Sequence, residues 1–371
     1  MRVVILGGAG AFGSRLAQLI HDDPGVSLVL AGRSLDRARA AAGPLGAEAA
    51  VLDRDKDLGQ ALAALRPDVL VDASGPFQAY GGRPYRVAEA TLAARAHYLD
   101  LADDAAFVAG IGALDAEARG RGLVALSGLS TLPALSFAAA RMLAAGLDRF
   151  DSLEIGVAPS PKAPLGLSVV AATASYAGAP VRLRREGRDV TAPGLVEARR
   201  LTIAPPGVPP LSPRLFLLAD APDLRLAALA WPGLQSVWVG AGPAPQAPLH
   251  LLRALAWLRS RRLLPPLTPL APLFHRVINA LRWGEDRGGM IVQARGLQAG
   301  RPARCAWMLV AEGADGPFIP AMAAAAILRR LSAGPSPTPG ARPATHELEL
   351  DDFAPFFAAR AIRTGVTRAP G

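Results

Sequence analysis

Val3-Val4-Ile5-Leu6-Gly7-Gly8-Ala9-Gly10-Ala11-Phe12-Gly13 opens the chain, and Val26-Ser27-Leu28-Val29-Leu30-Ala31-Gly32-Arg33-Ser34 follows shortly after. An apolar run feeds a turn with glycines at Gly8, Gly10 and Gly13, and an amphipathic segment, Ser14–Ile20, comes next. This is the strand, turn and helix of a dinucleotide-binding βαβ unit. Gly8 is assigned the tight turn, Gly10 the close approach of backbone to a pyrophosphate, and Gly13 the packing of helix on strand. Ala11 and Phe12 lie between them at the helix N-terminus, where free N–H groups and the positive dipole end face the phosphates. A lone GxGxxG is weak evidence; here it stands between a strand and a helix, as the motif requires.

The end of the second strand speaks to cofactor choice. An NAD site usually places Asp or Glu there to accept from the ribose 2′-hydroxyl. This chain has Gly32, Arg33 and Ser34 instead, and its next carboxylate, Asp36, falls on the following helix. A guanidinium pairs a 2′-phosphate through parallel charge-assisted bonds, and the serine hydroxyl can add another. The expectation is NADP(H), against the plainer reading of Arg33 as an ordinary surface arginine.

With 371 residues the chain can bury a full core and is expected to form two domains. Charged residues interrupt every long apolar stretch, so no segment approaches the ~20 apolar residues of a membrane span. The amino-terminal apolar run is a strand rather than a signal peptide, and a cytoplasmic enzyme is expected. Cys305 is the only cysteine, which excludes an internal disulfide and a cysteine metal cluster. The five histidines show no ligand spacing, so no metal is expected. A net charge of +9 raises the question of nucleic acid. The arginines are dispersed, however, without aromatic interleaving, and with the abundant Ala, Gly and Pro they reflect coding bias; nucleic-acid binding is not expected.

Strand and helix patterns alternate through the first third, as a doubly wound parallel sheet requires. Strands are expected at Arg2–Leu6, Ser27–Ala31, Ala49–Leu52, Val69–Asp72, Tyr98–Asp100 and Leu123–Ser127. Helices are expected at Leu35–Ala42, Asp57–Leu65, Tyr85–Ala94 and Asp104–Arg119. The fold class is thus α/β, an N-terminal Rossmann doubly wound parallel sheet with a second α+β domain. Its division is 1–130, 131–312 and a C-terminal helical segment, 313–371. In the second part, Pro133–Ala145 and Gly166–Tyr176 read as helices and Ser152–Val157 as a strand. Pro180–Trp238 reads as irregular antiparallel strands broken by proline-rich turns. Met290–Arg295 and Arg304–Ala311 read as a hairpin joined through Leu297–Pro302. Ile319–Leu331 is a helix, Ala333–Pro343 a linker, and Leu348–Ala359 a last strand and helix. Leu249–Trp283 holds Leu, Trp and Phe beside Arg253, Arg259, Arg261, Arg262, Arg276 and Arg282, with a break at Pro265-Pro266. Two amphipathic basic helices there suit peripheral contact with a membrane or lipid. The plainer reading is two helices covering a sheet or a subunit interface.

The chain resembles the saccharopine-dehydrogenase-like NADP-binding proteins, which include bacterial saccharopine reductase homologues and trans-acting enoyl reductases of polyketide-lipid biosynthesis. Gly7–Gly13, Leu30–Ser34, Ser74–Gly81, Tyr98–Asp103 and Ser127–Ser136 carry the resemblance, with Asp286–Met290 and Gly313–Ala321 farther on. It implies an NADP(H)-dependent oxidoreductase acting on a small or medium substrate; an enoyl reductase and a non-catalytic NADP(H)-binding protein are the alternatives. It further implies that the helix around Ile319–Leu331 returns to the nucleotide domain, and that the intervening domain shapes the substrate cleft and often the dimer interface. Where family members often carry a cysteine this chain has Ser127, which excludes a cysteine-dependent role there.

Hydride transfer asks the protein to orient the nicotinamide and to move one proton. Ser74, Gly75 and Pro76 follow the fourth strand, where backbone should pass near the nicotinamide. Asp53 closes the third strand, placed to accept from the adenine amino group or simply to make a turn. Candidate proton donors are Tyr80, Tyr98, Asp100, Asp103, Ser127 and Ser130, with Tyr80 and Asp103 placed first. Tyr98, an aromatic at a strand start, reads more readily as core, and His97 as an exposed junction residue. The two lysines, Lys56 and Lys162, are not placed for a Tyr-x-x-x-Lys pair, so a short-chain-dehydrogenase mechanism is rejected.

Overall fold

Val3–Leu6, the apolar body of the first strand, is buried throughout, as a strand covered on both faces must be. In this computed structural model, which describes residues 1–280, 283–334 and 337–370, the chain forms two units. The first comprises Met1–Leu135 and Phe318–Leu348. The second comprises Ser136–Pro317 and the chain from Glu349 onward.

In the first unit the elements run β1 (Arg2–Leu6), α1 (Gly13–Ile20), β2 (Ser27–Gly32), α2 (Leu35–Ala42), β3 (Glu48–Val51) and α3 (Leu58–Leu65). They continue through β4 (Val69–Asp72), α4 (Arg86–Ala93), β5 (His97–Asp100), α5 (Ala105–Gly110), α6 (Asp115–Gly120) and β6 (Val124–Ser127). All pair in parallel, in the order β6-β5-β4-β1-β2-β3, and Gly340–Pro343 adds a seventh parallel strand beside β6. The order reverses between β1 and β4, the topological switch point where open α/β sheets bind ligands at their carboxyl ends. Side-chain caps start several helices: Ser34 accepts from the Arg37 N–H, Asp57 from those of Gly59 and Gln60, and Asp104 from those of Ala106 and Phe107. The expected helix Asp104–Arg119 is instead two short helices joined by a single turn over Ile111–Leu114. Gly110 precedes that break and Gly112 lies within it, and glycine is a weak helix former. The expected linker 333–343 ends in the seventh strand, and residues 335–336 lie outside the described residues.

The second unit begins with α7 (Ser136–Ala144), β7 (Arg149–Ala158), α8 (Leu167–Tyr176) and the separate hairpin β8 (Pro180–Arg185)–β9 (Arg188–Pro193). Next come β10 (Ala198–Leu201), β11 (Arg214–Leu218), α9 (Pro222–Ala230), β12 (Ser236–Ala241), α10 (Gln246–Ser260) and α11 (Ala271–Ala280). β13 (Arg287–Gln298) and β14 (Arg301–Glu312) make the expected hairpin, with longer strands and a turn at Ala299 and Gly300, both at positive φ. The helix and strand that return to the first unit are α12 (Ile319–Ala333) and β15 (Gly340–Pro343); α13 (Leu350–Ala358) and β16 (Ile362–Pro370) close the chain. The sheet order is β10-β11-β12-β7-β13-β14-β16, mixed because β12 runs parallel to β7. α7 packs on β7, β13 and β14.

Several expectations change here. The segment 313–371 is not one helical piece: α12 and β15 belong to the first unit, α13 and β16 to the second. The closing strand follows its helix rather than preceding it. The helix expected over Pro133–Ala145 is regular α-helix only from Ser136; Thr131–Leu135 before it is a wider turn, and Leu132, extended before Pro133, marks the entry. The stretch Pro180–Trp238 contains the helix α9, whose Pro222 and Asp223 suit a first helical turn. Leu249–Trp283 does form two helices, separated near Pro265-Pro266; Arg282 lies outside the described residues.

α12 explains why the first unit needs this returning segment. Ala321, Ala323, Ala324 and Ala325 are fully buried, and the helix packs on α1 and on the turn at Thr131–Leu135. Alanine at these positions permits close approach, so a larger side chain has nowhere to go. Ala324→Leu is expected to cost about 1–3 kcal/mol by overpacking, read as a lower denaturant midpoint at unchanged m-value.

Candidate functional site

The glycine turn folds around one carbonyl. Gly7 takes the left-handed conformation at φ 81°, and its own carbonyl accepts from the Gly10 N–H at 2.8 Å. A Cβ on Gly13 would overlap that same carbonyl oxygen, and one on Gly10 would come within 2.9 Å of it. Gly8 has no positive φ; a side chain there would press on Leu30 of β2. The tight-turn role assigned to Gly8 thus belongs to Gly7, while Gly8 serves close packing and Gly13 the approach of α1. A Cβ on Gly7 would itself lie 2.8 Å from the Ala73 oxygen, so the loops after β1 and β4 touch. Among the described residues, the amides of Ala11, Phe12 and Gly13 have no acceptor, leaving three consecutive donors at the start of α1.

At the end of β2, Arg33 is exposed and has no ion-pair partner among the described residues. Ser34 accepts from the Arg37 N–H at 3.4 Å, which leaves its hydroxyl proton free to donate. Asp53 follows β3 and accepts from the Asp55 N–H at 3.1 Å, making the local turn. The neighbouring Arg54, which sequence reasoning passed over, reaches from this turn to the loop after β4. Its Nη1 donates to the Ser74 carbonyl at 2.7 Å, and its guanidinium lies 4.2 Å from the centre of the Tyr80 ring.

Asp72 organises that loop. Fully buried at the end of β4, it accepts from the N–H and hydroxyl of Ser74 through Oδ1, and from the Tyr80 hydroxyl through Oδ2 at 2.5 Å. Tyr80 is 4% exposed, stacks on Phe77, and meets Phe107 edge-on. Burial raises its hydroxyl pKa far above the usual value, and the Asp72 charge adds to this. Tyr80 therefore holds the turn Ser74-Gly75-Pro76 in place, and its proton is committed to Asp72. Burial likewise raises the Asp72 carboxyl.

Asp100 occupies the paired position on the neighbouring strand. Its Oδ1 accepts from the Gly128 N–H at 2.8 Å, the Ala102 N–H at 3.0 Å and the Ser127 hydroxyl at 3.0 Å. Burial pushes its pKa up to about 7, against these stabilising bonds and with the Asp72 charge acting in the same upward direction. Ser127 is fully buried on this carboxylate, and Tyr98 is fully buried in the sheet core. His97 is half-buried rather than exposed: its Nδ1 accepts from the Val124 N–H at 3.1 Å, and burial lowers its pKa. Asp103 is exposed beyond the end of β5, where its Oδ1 accepts from Gln78 at 3.3 Å. Ser130 is half-buried in the loop after β6, and its hydroxyl has no partner among the described residues. No cluster of His, Cys, Asp and Glu suited to a metal occurs among the described residues.

Comparison with known proteins bears on the fold and on the first unit. Residues 3–126 match the family described as saccharopine dehydrogenase NADP binding domain. The fold is similar to apo saccharopine dehydrogenase (L-Glu forming) from Saccharomyces cerevisiae, at 14% identity and TM-score 0.66 over 99% of both chains. It is also similar to homospermidine synthase from Legionella pneumophila in complex with NAD, at 11% identity and TM-score 0.62 over 99% of this chain and 91% of that one. No curated protein sequence matches the chain. The fold is that of NAD(P)-binding dehydrogenase-like oxidoreductases.

The raised Asp100 carboxyl has a thermodynamic sign. The folded state holds the proton up to about pH 7, whereas an unfolded aspartate releases it near 4. This carboxyl's contribution to stability is therefore full at low pH and is lost as pH rises across that window. Asp100→Asn keeps an acceptor oxygen for the three donors and never ionises. Its stability relative to the parent should climb from pH 4 to 7, by at most about 1.4 kcal/mol per pH unit, and level off above. Urea unfolding of both proteins across that range measures it.

Proposed function

We propose that the chain is an NADP(H)-dependent oxidoreductase of the saccharopine-dehydrogenase-like type, transferring hydride to or from a small or medium organic substrate. The observation that carries the reading is the run of unpaired amides at Ala11, Phe12 and Gly13, on a turn whose glycines leave no Cβ in the way. Such a row of donors at a helix N-terminus suits a pyrophosphate. Arg33 and the donor-competent Ser34 hydroxyl favour a 2′-phosphate over a bare ribose hydroxyl, since no carboxylate stands between Gly32 and Leu35 to repel it. The family description of residues 3–126 names NADP, while one structural relative holds NAD, so the preference for NADP(H) rests on Arg33 and Ser34.

When bound, the nicotinamide supplies or takes the hydride. The protein's part is to hold Ser74, Gly75 and Pro76 in a fixed path at the switch point, which Asp72, Tyr80 and Arg54 do together. Asp53 lines the expected adenine side from its turn. In this reading Tyr80 is a positioning residue, because its hydroxyl proton is already committed to a buried carboxylate. Asp103 and Ser130 are the proton-handling candidates, since Asp103 is exposed at a strand's carboxyl end and Ser130 keeps an uncommitted hydroxyl.

Fluorescence titration with NADPH and NADH tests the cofactor. Parent protein should bind NADPH more tightly, and Arg33→Ala should weaken NADPH about ten- to a hundredfold, the worth of a charge-assisted pair, with NADH little changed. Equal affinity for both nucleotides would sink the Arg33 argument. NADPH oxidation across imines, enoyl thioesters and ketones then assigns the substrate class. Tight binding without turnover on any of them would favour a non-catalytic role.

A further inference from the structure

Among the described residues, eight of the twelve large hydrophobic side chains left exposed fall between Leu251 and Trp283. The other four are scattered, as isolated exposed apolar residues ordinarily are. The concentration follows from how this stretch folds. α10 turns Leu249 and Ala256 inward to a cluster with Val170 and Ala174 of α8, and Ala271 of α11 joins the same cluster. Arg253 donates to the Val196 carbonyl and Arg259 to that of Ala177, so these two arginines anchor α10 from its inner side. The outer side of α10 is then Ala247, His250, Leu251, Ala254, Trp257 and Arg261, all exposed and spaced at helical intervals. Its apolar members outnumber its polar ones, the reverse of an ordinary solvent face. α11 repeats the arrangement with Leu273, Arg276 and Val277, and the connection between the helices exposes Arg262 and Leu263.

Charge identifies the occupant. No Asp or Glu occurs from Gln246 to Gly284, while Arg261, Arg262 and Arg276 are exposed among the apolar side chains. The Arg261 guanidinium sits 5.6 Å from the Trp257 ring centre, pairing a cation with an interfacial aromatic. A second copy of the chain docking through the same face would set arginine against arginine, with no carboxylate in the stretch to receive either. Neither helix is long and apolar enough to cross a bilayer, and among the described residues no other helix is. We infer that the α10–α11 face is a peripheral membrane-binding surface: Leu251, Trp257, Leu263 and Leu273 enter the headgroup boundary of an anionic phospholipid layer while Arg261, Arg262 and Arg276 meet its phosphates. Apolar burial and attraction to anionic lipid act together in such an interface.

Sedimentation of the full chain with phosphatidylcholine vesicles, with and without phosphatidylglycerol, tests this. Sedimentation should require phosphatidylglycerol and weaken as salt is raised. Leu251→Glu combined with Leu263→Glu changes only exposed side chains and should lower partitioning about tenfold or more, with NADPH titration serving as the check that the protein is folded. Equal sedimentation with both vesicle types, sedimentation with neither, or an unchanged double variant would overturn the inference. So would a dimer in analytical ultracentrifugation that the double variant dissociates, since the face would then be a self-interface.

Discussion

The carbonyl of Gly7 receives the Gly10 amide, lies directly beneath Gly13, and belongs to a residue pressed against the backbone after β4. Three pieces of chain therefore meet with no side chain between them. Sterics alone set the identity of Gly7, Gly10 and Gly13, because any Cβ would push strand, turn and helix apart. Beside this crowded turn, the amides of Ala11, Phe12 and Gly13 have no acceptor among the described residues. The row of unpaired amides thus arises alongside close packing rather than as a separately built feature.

Around this turn the sheet places ionisable groups in two opposite conditions. Asp72 and Asp100 sit side by side at the ends of β4 and β5, fully buried, and each accepts through Oδ1 from donors that fix a loop. Asp72 fixes the turn at Ser74 and Asp100 the turn at Gly128. Arg33 and Asp103, in contrast, are exposed. Buried carboxylates that bind backbone act as structural pins at a high desolvation cost. The outer groups retain their freedom to meet a ligand. The carboxyl ends of the strands thus carry a buried carboxylate framework, with Arg33 and Asp103 exposed outside it.

The first unit was legible because its signals are local: apolar runs of four or five residues and glycine spacing. The switch-point loops were legible for the same reason, although the tight turn fell on Gly7 rather than Gly8. What escaped the sequence was set by distant contacts. Arg54 matters because a separate loop supplies the Ser74 carbonyl and the Tyr80 ring, and nothing in Asp53-Arg54-Asp55 announces this. Tyr80 carries the residue type of a proton donor, and only the fold reveals its hydroxyl turned onto Asp72. α9 hides in a proline-rich stretch because Pro222 stands at a helix start, where its missing N–H costs nothing. β15 is four residues long, follows a Pro/Gly-rich segment, and acquires strand geometry by pairing with β6.

The path of the chain between its two units bears on how the molecule is made. The first sheet receives β15 only after all of the second unit up to Pro317 has been synthesised, and the second sheet receives β16 last of all. Each sheet thus acquires one edge strand from the final part of the chain. During synthesis β6 and β14 emerge as open edges, the kind of surface that pairs with other chains if left waiting. Both sheets are completed only when residues 340–370 have been made, so a nascent chain stopped before them carries two unfinished edges at once.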